Sequence, residues 1–392
     1  MGESIKMKKY ILISGFNAHD NNRGTAALSY GSLIFCVQQK ILRKNQELLN
    51  FVYVNKFWKK KYKNRKETYN VDGDEYIRNI IHVSKIEKKL YDKFHVILPF
   101  TSFGKFIHKI EIVACINGGD GFSDIYSTKT FFSRLVDTEL AIQENIPVIQ
   151  LPQTLGPFKH EENYEKAKQI LQYSKKVFVR DDKFIHELEK MDVNYEMAKD
   201  LSAFMQLEPW DIDIKPDSIG INISGLCYSN SFRTLSGQFE MYPKLIKRLI
   251  CHFQKKGKTV YLIPHSYNYD SPEESNDDMV ACRQAYESLL DKNNVVFIDK
   301  NLISPQIKYV ISKMSFFCGT RMHANFAAIY TGVPLFGLAY SYKFAGAFNA
   351  NGLDGNQQTA IINNIKEGDI DGIIMKIDNF YNLIADRQHK DR

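Results

Sequence analysis

"SFFCGTRMHANFAAIYTGVPLFGLAY", residues 315–340, holds one complete structural unit. An apolar run of strand length ends at Gly319 and Thr320, and "RMHANFAAIY" follows with the length and composition of a helix. The Gly332-Val333-Pro334 turn then leads into a second apolar run. Strand, helix and strand in that order build a parallel sheet. Ligands of such sheets gather at the carboxyl ends of strands, where the chain turns into a helix. Arg321 and His323 fall at that point, with Thr320 the expected N-cap. A cation in the first turn opposes the helix dipole by a few tenths to about 1 kcal/mol. A bound anion reverses the sign, because free amides, dipole and guanidinium all attract it. The stretch therefore predicts an anion site. The alternative is an Arg321 that pairs with an acidic residue at a domain interface.

The same alternation extends outward in both directions. "YILISGF", "FVYV", "IEIVACING", "PVIQLPQ" and "KVFVRDD" read as strands of a first series, with helical segments between them, one over roughly Gly24 to Leu42. "DLSAFMQLEPWDIDIKPD", residues 200–217, has two prolines and no period, as a connection would. "SIGINISG", "TVYLIPH", "NVVFID", "MSFFCGT" and "VPLFGLAY" form a second series. The expected fold is α/β, with two Rossmann-like domains and a cleft between them. The domains are expected at residues 7–205 and 215–350, with 351–392 a helical segment packing back.

With 392 residues the chain exceeds one ordinary domain, and 44% hydrophobic against 25% charged residues excludes disordered and fibrous classes. Cys36, Cys115, Cys227, Cys251, Cys282 and Cys318 contain no C-x-x-C pair, so a zinc site is not expected. Several lie in apolar runs and read as buried thiols of a reducing cytosol, which places the protein in the cytoplasm. The apolar run after Lys8 and Lys9 is too short for a secretory core, and no stretch is long enough to span a bilayer. The net charge is +7, and "KFWKKKYKNRK", residues 56–66, contributes seven of the cations. It reads as a solvated loop, a grip on an acidic polymer, or a peripheral contact with an anionic membrane at its inner face. No nucleic-acid module accompanies it, so nucleic acid is not an expected partner.

Other strand ends carry polar residues. Arg180 closes "KVFVRDD" just ahead of a helix expected near Asp182, His265 closes "YLIPH", and Lys343 follows "VPLFGLAY". Arg180, Arg321, His323 and Lys343 together would neutralise a small, multiply charged anion, while His265 reads equally well as a packed or capping residue. "NGGDGFSD" is neither of the common phosphate loops, and its aspartate would repel phosphate. It reads as a turn that offers Asp120 to sugar hydroxyls. Asn17 after the first strand and Gln153 after "PVIQLP" complete the substrate-binding candidates.

Taken in order, these pieces resemble the polysaccharide pyruvyl transferase family. The likeness runs from "NNRGTAAL" through "GGDGFSDIY", "LPQTLGPF", "VFVRDD", "KDLSAF", "GINISG" and "LIPH". It ends in the most specific block, "GTRMHANFAAIYTGVPLFGLAYSYKFAG". The resemblance implies a GT-B-like fold with an acceptor-side first domain and a donor-side second domain. It implies transfer of the carboxyethylidene group of phosphoenolpyruvate to two hydroxyls of a sugar; no step of that chemistry demands a metal or cofactor, so none is expected. The sugar would belong to a surface polysaccharide of the cell envelope or to a lipid-linked or nucleotide-linked precursor. The family's functional positions match Arg180, His323 and Lys343, with Arg321 as the first residue of its R-x-H. Asp120 and Thr25 depart from the family's usual residues, and both bear on the acceptor. Two other classes remain: a glycosyltransferase of the same architecture using a nucleotide-sugar, and a non-catalytic carbohydrate- or membrane-binding protein.

Overall fold

The structure, a computed structural model, describes residues 9–55, 63–341 and 343–390. The side chains of Lys343 and of residues 387–390 lie outside the described set. The chain divides into two compact units, one of Met1–Asn17 with Leu28–Phe204, the other of Ala18–Ala27 with Met205–Arg392.

The first unit is built on eight strands: β1 (Tyr10–Ser14), β2 (Glu47–Val54), β3 (Arg65–Val71), β4 (Asp74–Ser84), β5 (Ile110–Cys115), β6 (Val148–Gln153), β7 (Lys176–Val179) and β8 (Glu196–Met197). They lie in the order β3-β4-β2-β1-β5-β6-β7-β8. Every pairing is parallel except β3 with β4, a hairpin closed by Asp72 and Gly73 at φ 53° and 88°. Two successive positive φ values give the turn whose twist matches paired strands, and Asp-Gly suits it. One core packs Leu12, Leu49, Val113 and Val148 beneath Tyr91 and Phe103, and another gathers Phe122, Phe131, Ile170 and Val179.

The second unit has six strands: β9 (Ile219–Asn222), β10 (Val260–Leu262), β11 (Val295–Phe297), β12 (Phe316–Gly319), β13 (Leu335–Ala339) and β14 (Thr359–Ile361). They run parallel in the order β11-β10-β9-β12-β13-β14. Side chains alternate between its faces, as a pleated strand dictates. Phe316 and Cys318 enter one core with Leu245 and Ile250, while Phe317 enters the other with Ile263 and Ala328. Helix Asp369–Lys390 adds Ile370, Ile373, Ile374 and Ile377 to the first of these cores.

Three local expectations need correcting. The first helix spans Arg23–Gln38, one turn shorter than its apolar pattern, and Lys40 then takes a positive φ. The helix after Arg180 starts at Ile185, so the segment Asp181–Phe184 is irregular. Thr320 is not an N-cap: Arg321 holds that place before helix Met322–Tyr330. The Thr320 hydroxyl is instead hydrogen-bonded to the Tyr242 hydroxyl at 2.7 Å, fully buried.

Candidate active site

In the second unit, the turn after β12 is organised by a residue that sequence reasoning missed. Asp278 opens helix Asp278–Glu287 and is completely buried. Its Oδ1 accepts from Arg321 Nε and Nη2 at 3.0 and 2.7 Å and from the Gly225 amide at 2.8 Å. Its Oδ2 accepts from the His265 and Ser266 amides at 3.1 and 2.9 Å. Arg321 Nη2 also donates to Asn276 Oδ1 at 2.8 Å, and its backbone N–H donates to Asn222 Oδ1 at 2.8 Å. Burial disfavours the charged guanidinium, but the carboxylate of Asp278 outweighs it and the Arg321 pKa is raised. Arg321 is thus a fixed cation with an acidic partner in its own unit. Among the described residues its Nη1 makes no hydrogen bond.

His323 follows in the first turn of helix Met322–Tyr330, edge-on to Phe326 with ring centroids 5.5 Å apart. Gly24 packs directly on its imidazole: a Cβ there would lie 2.6 Å from His323 Nδ1. Only glycine lets the backbone come so close. His265, beyond β10, is 4% exposed. Burial holds its pKa well below the usual histidine value, and His323, Arg321 and Arg23 push the same way. His265 is therefore neutral. The unit brings Arg321, His323 and His265 together and adds Asp278, Gly24 and Arg23, none of which was a candidate. Lys343 opens helix Lys343–Asn349, while Tyr342 lies outside the described residues.

The first unit assembles a separate group. Arg180 follows β7, and its N–H donates to the Gln153 carbonyl at 3.2 Å. Its guanidinium pairs with buried Asp200 at 2.6 Å, donates to Thr154 Oγ1 at 3.0 Å and lies 3.6 Å from Asp181. Burial again opposes the charge, and Asp200, Asp181 and Asp120 raise the Arg180 pKa despite it. The glycine turn lies against this arginine, since a Cβ on Gly119, at φ +88°, would sit 2.9 Å from Nη1. Asp120 Oδ2 accepts from the Tyr126 hydroxyl at 2.9 Å. The Gln153 side chain is fully buried, donating to the Cys115 carbonyl at 3.1 Å, and exposed Asn17 donates its N–H to Ser29 Oγ at 2.8 Å. "KDLSAF" was the available signal for Asp200. Asp278 gave none, because an aspartate in a first helical turn looks like ordinary capping.

A sequence profile of the polysaccharide pyruvyl transferase family matches residues 30–342. The chain belongs to that family. Within this polysaccharide pyruvyl transferase family member, the matched span contains Asp120, Gln153, Arg180, His265, Arg321 and His323. Asn17, Arg23, Gly24 and Lys343 lie outside it. No curated protein matches the sequence. The UDP-GlcNAc 2-epimerase of Methanocaldococcus jannaschii is similar in structure at a TM-score of 0.54, with 10% identity over 96% of this chain and 93% of that one. The Neisseria meningitidis UDP-GlcNAc 2-epimerase bound to UDP-GlcNAc gives 0.51, with 13% identity over 97% and 94%. These likenesses show a GT-B-like fold of two Rossmann-like units. Among the described residues no helix is long and apolar enough to cross a membrane. Among the same residues no group of three or more His, Cys, Asp or Glu side chains could hold a metal ion.

Proposed function

We propose that the protein transfers the carboxyethylidene group of phosphoenolpyruvate to two hydroxyls of a sugar, in a surface polysaccharide or its lipid-linked or nucleotide-linked precursor. The observation that carries this reading is the turn after β12: Arg321 locked by Asp278, with His323 beside it on the same helix start. Phosphoenolpyruvate bears about three negative charges near neutral pH, and a guanidinium at a helix start suits its carboxylate or phosphate.

In this reading His323 protonates the methylene carbon of the enol, leaving an oxocarbenium-like centre at the adjacent carbon. One sugar hydroxyl adds there and loses its proton. Phosphate departs with its bridging oxygen, and the second hydroxyl adds to close the ketal. Two hydroxyl protons are released, one replacing that given by His323 and one going to phosphate. The family resemblance makes Arg180 and Lys343 functional positions, read here as cations for the donor anion, while the glycine turn is read as offering Asp120 to the acceptor's hydroxyls. No step calls for a metal or cofactor, so chelator is expected to leave turnover intact.

Ligand-dependent melting tests the donor. A ligand that binds only the folded state raises Tm according to its concentration over Kd. Phosphoenolpyruvate is expected to raise Tm and UDP to leave it unchanged. Stabilisation by UDP alone would point to a nucleotide-sugar enzyme, and stabilisation by neither to a non-catalytic protein.

A further inference from the structure

Arg23 is 7% exposed, and every nitrogen of its guanidinium is engaged, but none by a carboxylate. Nε donates to the Leu302 carbonyl at 2.8 Å, Nη1 to the Asp20 carbonyl at 2.7 Å and Nη2 to Asn301 Oδ1 at 2.9 Å. The guanidinium carbon lies 4.3 Å from the centre of the Tyr267 ring. Carbonyl and ring dipoles orient a cation without cancelling its charge. Arg321, by contrast, has its charge balanced by Asp278. Burying an unbalanced charge is costly, so a chain that keeps one needs something in return.

The position of that charge indicates what. The Arg23 N–H donates to the His265 carbonyl at 3.0 Å, and its charge acts on the His265 ring. The next residue, Gly24, lies against His323. The unbalanced cation is thus built into the wall that holds both histidines.

We propose that Arg23 is an electrostatic positioning residue of the anion site around His323, supplying the charge that a bound phosphate-bearing donor balances. The inference rests on the donor reading above for the identity of the anion, but not for its charge. It concerns a residue outside both the R-x-H block and the span matched by the family profile.

The test uses the full chain, with phosphoenolpyruvate and inorganic phosphate as separate probes, and compares Arg23→Gln with Arg23→Lys by calorimetry at low and high salt. Thermal unfolding of each variant is measured alongside. Arg23→Gln is expected to weaken both anions about tenfold and to flatten the salt dependence, the scale of one unit charge in a partly buried site. Arg23→Lys keeps the charge and loses the fork. It is expected to bind within about threefold of the native protein while losing comparable thermal stability. A purely structural Arg23 would make both variants lose stability and affinity alike, or leave affinity untouched in a folded Gln variant; either result overturns the proposal. If the Gln variant does not fold, the Lys variant decides: native-like affinity supports the charge role, and a tenfold loss refutes it. Native protein that binds phosphate but not phosphoenolpyruvate would sink the donor assignment and leave Arg23 judged on phosphate. Native protein that binds neither overturns both.

Discussion

His323 and His265 sit within one cluster yet are suited to opposite tasks. His323 is half-buried on a helix start, while His265 is sealed in and held toward its neutral form. His323→Gln is therefore expected to bind phosphoenolpyruvate nearly as the native protein does and to lose roughly 10²–10⁴ in kcat. Native turnover in that variant would leave His323 only a packing role. His265 predicts a pH effect on folding instead. Well above about pH 6.5 neither folded nor unfolded chain protonates this residue, and stability carries no penalty from it. As pH falls, the unfolded chain takes a proton that the fold refuses. Stability then declines by up to about 1.4 kcal/mol per pH unit, until the folded imidazole itself protonates. Urea unfolding between about pH 6.5 and 5 should show a shallower decline in His265→Asn. Parallel slopes in the two proteins would contradict a neutral buried His265. Arg321 and His323 were legible because a strand-to-helix turn is a local pattern. Asp278 was not, since it meets Arg321 only through the long-range packing of β9, β10 and β12.

At the scale of elements, the unit β12–helix–β13 could be read directly, because both strands are apolar on both faces and the helix between them is framed by glycines. The hairpin of β3 and β4 escaped. Its Asp72-Gly73 turn was a usable signal, but β3 is an edge strand with four exposed residues among seven, and it follows the run of lysines. Of residues 56–66, positions 56–62 lie outside the described residues, and Lys63, Asn64, Arg65 and Lys66 are exposed. We propose that this segment holds the enzyme peripherally at an anionic membrane, as a lipid-linked acceptor would require. Each Lys or Arg near such a surface contributes about 1 kcal/mol, strongly screened by salt. Co-sedimentation with vesicles containing anionic lipid should fall at high salt and in the K59Q/K60Q/K61Q variant. Binding that ignores lipid charge, or survives that triple substitution, would end the membrane reading.

For the whole molecule, two alternating series of strands and helices were enough to give the α/β class and the Rossmann-like character of each unit. Sequence order could not show that Ala18–Ala27 group with the second unit. That grouping brings Gly24 to His323 and Arg23 to His265, and makes the second unit's candidate site a composite of distant segments. Family membership and fold leave the donor to be decided by chemistry. The most direct measurement is incubation with phosphoenolpyruvate and a panel of free, nucleotide-linked and lipid-linked sugars, following phosphate release and acceptor mass together. Phosphate released in step with one added carboxyethylidene group per acceptor, with no redox partner or metal supplied, is the predicted result. Sugar transfer from a nucleotide-sugar by the same preparation, with phosphoenolpyruvate left intact, would contradict the account.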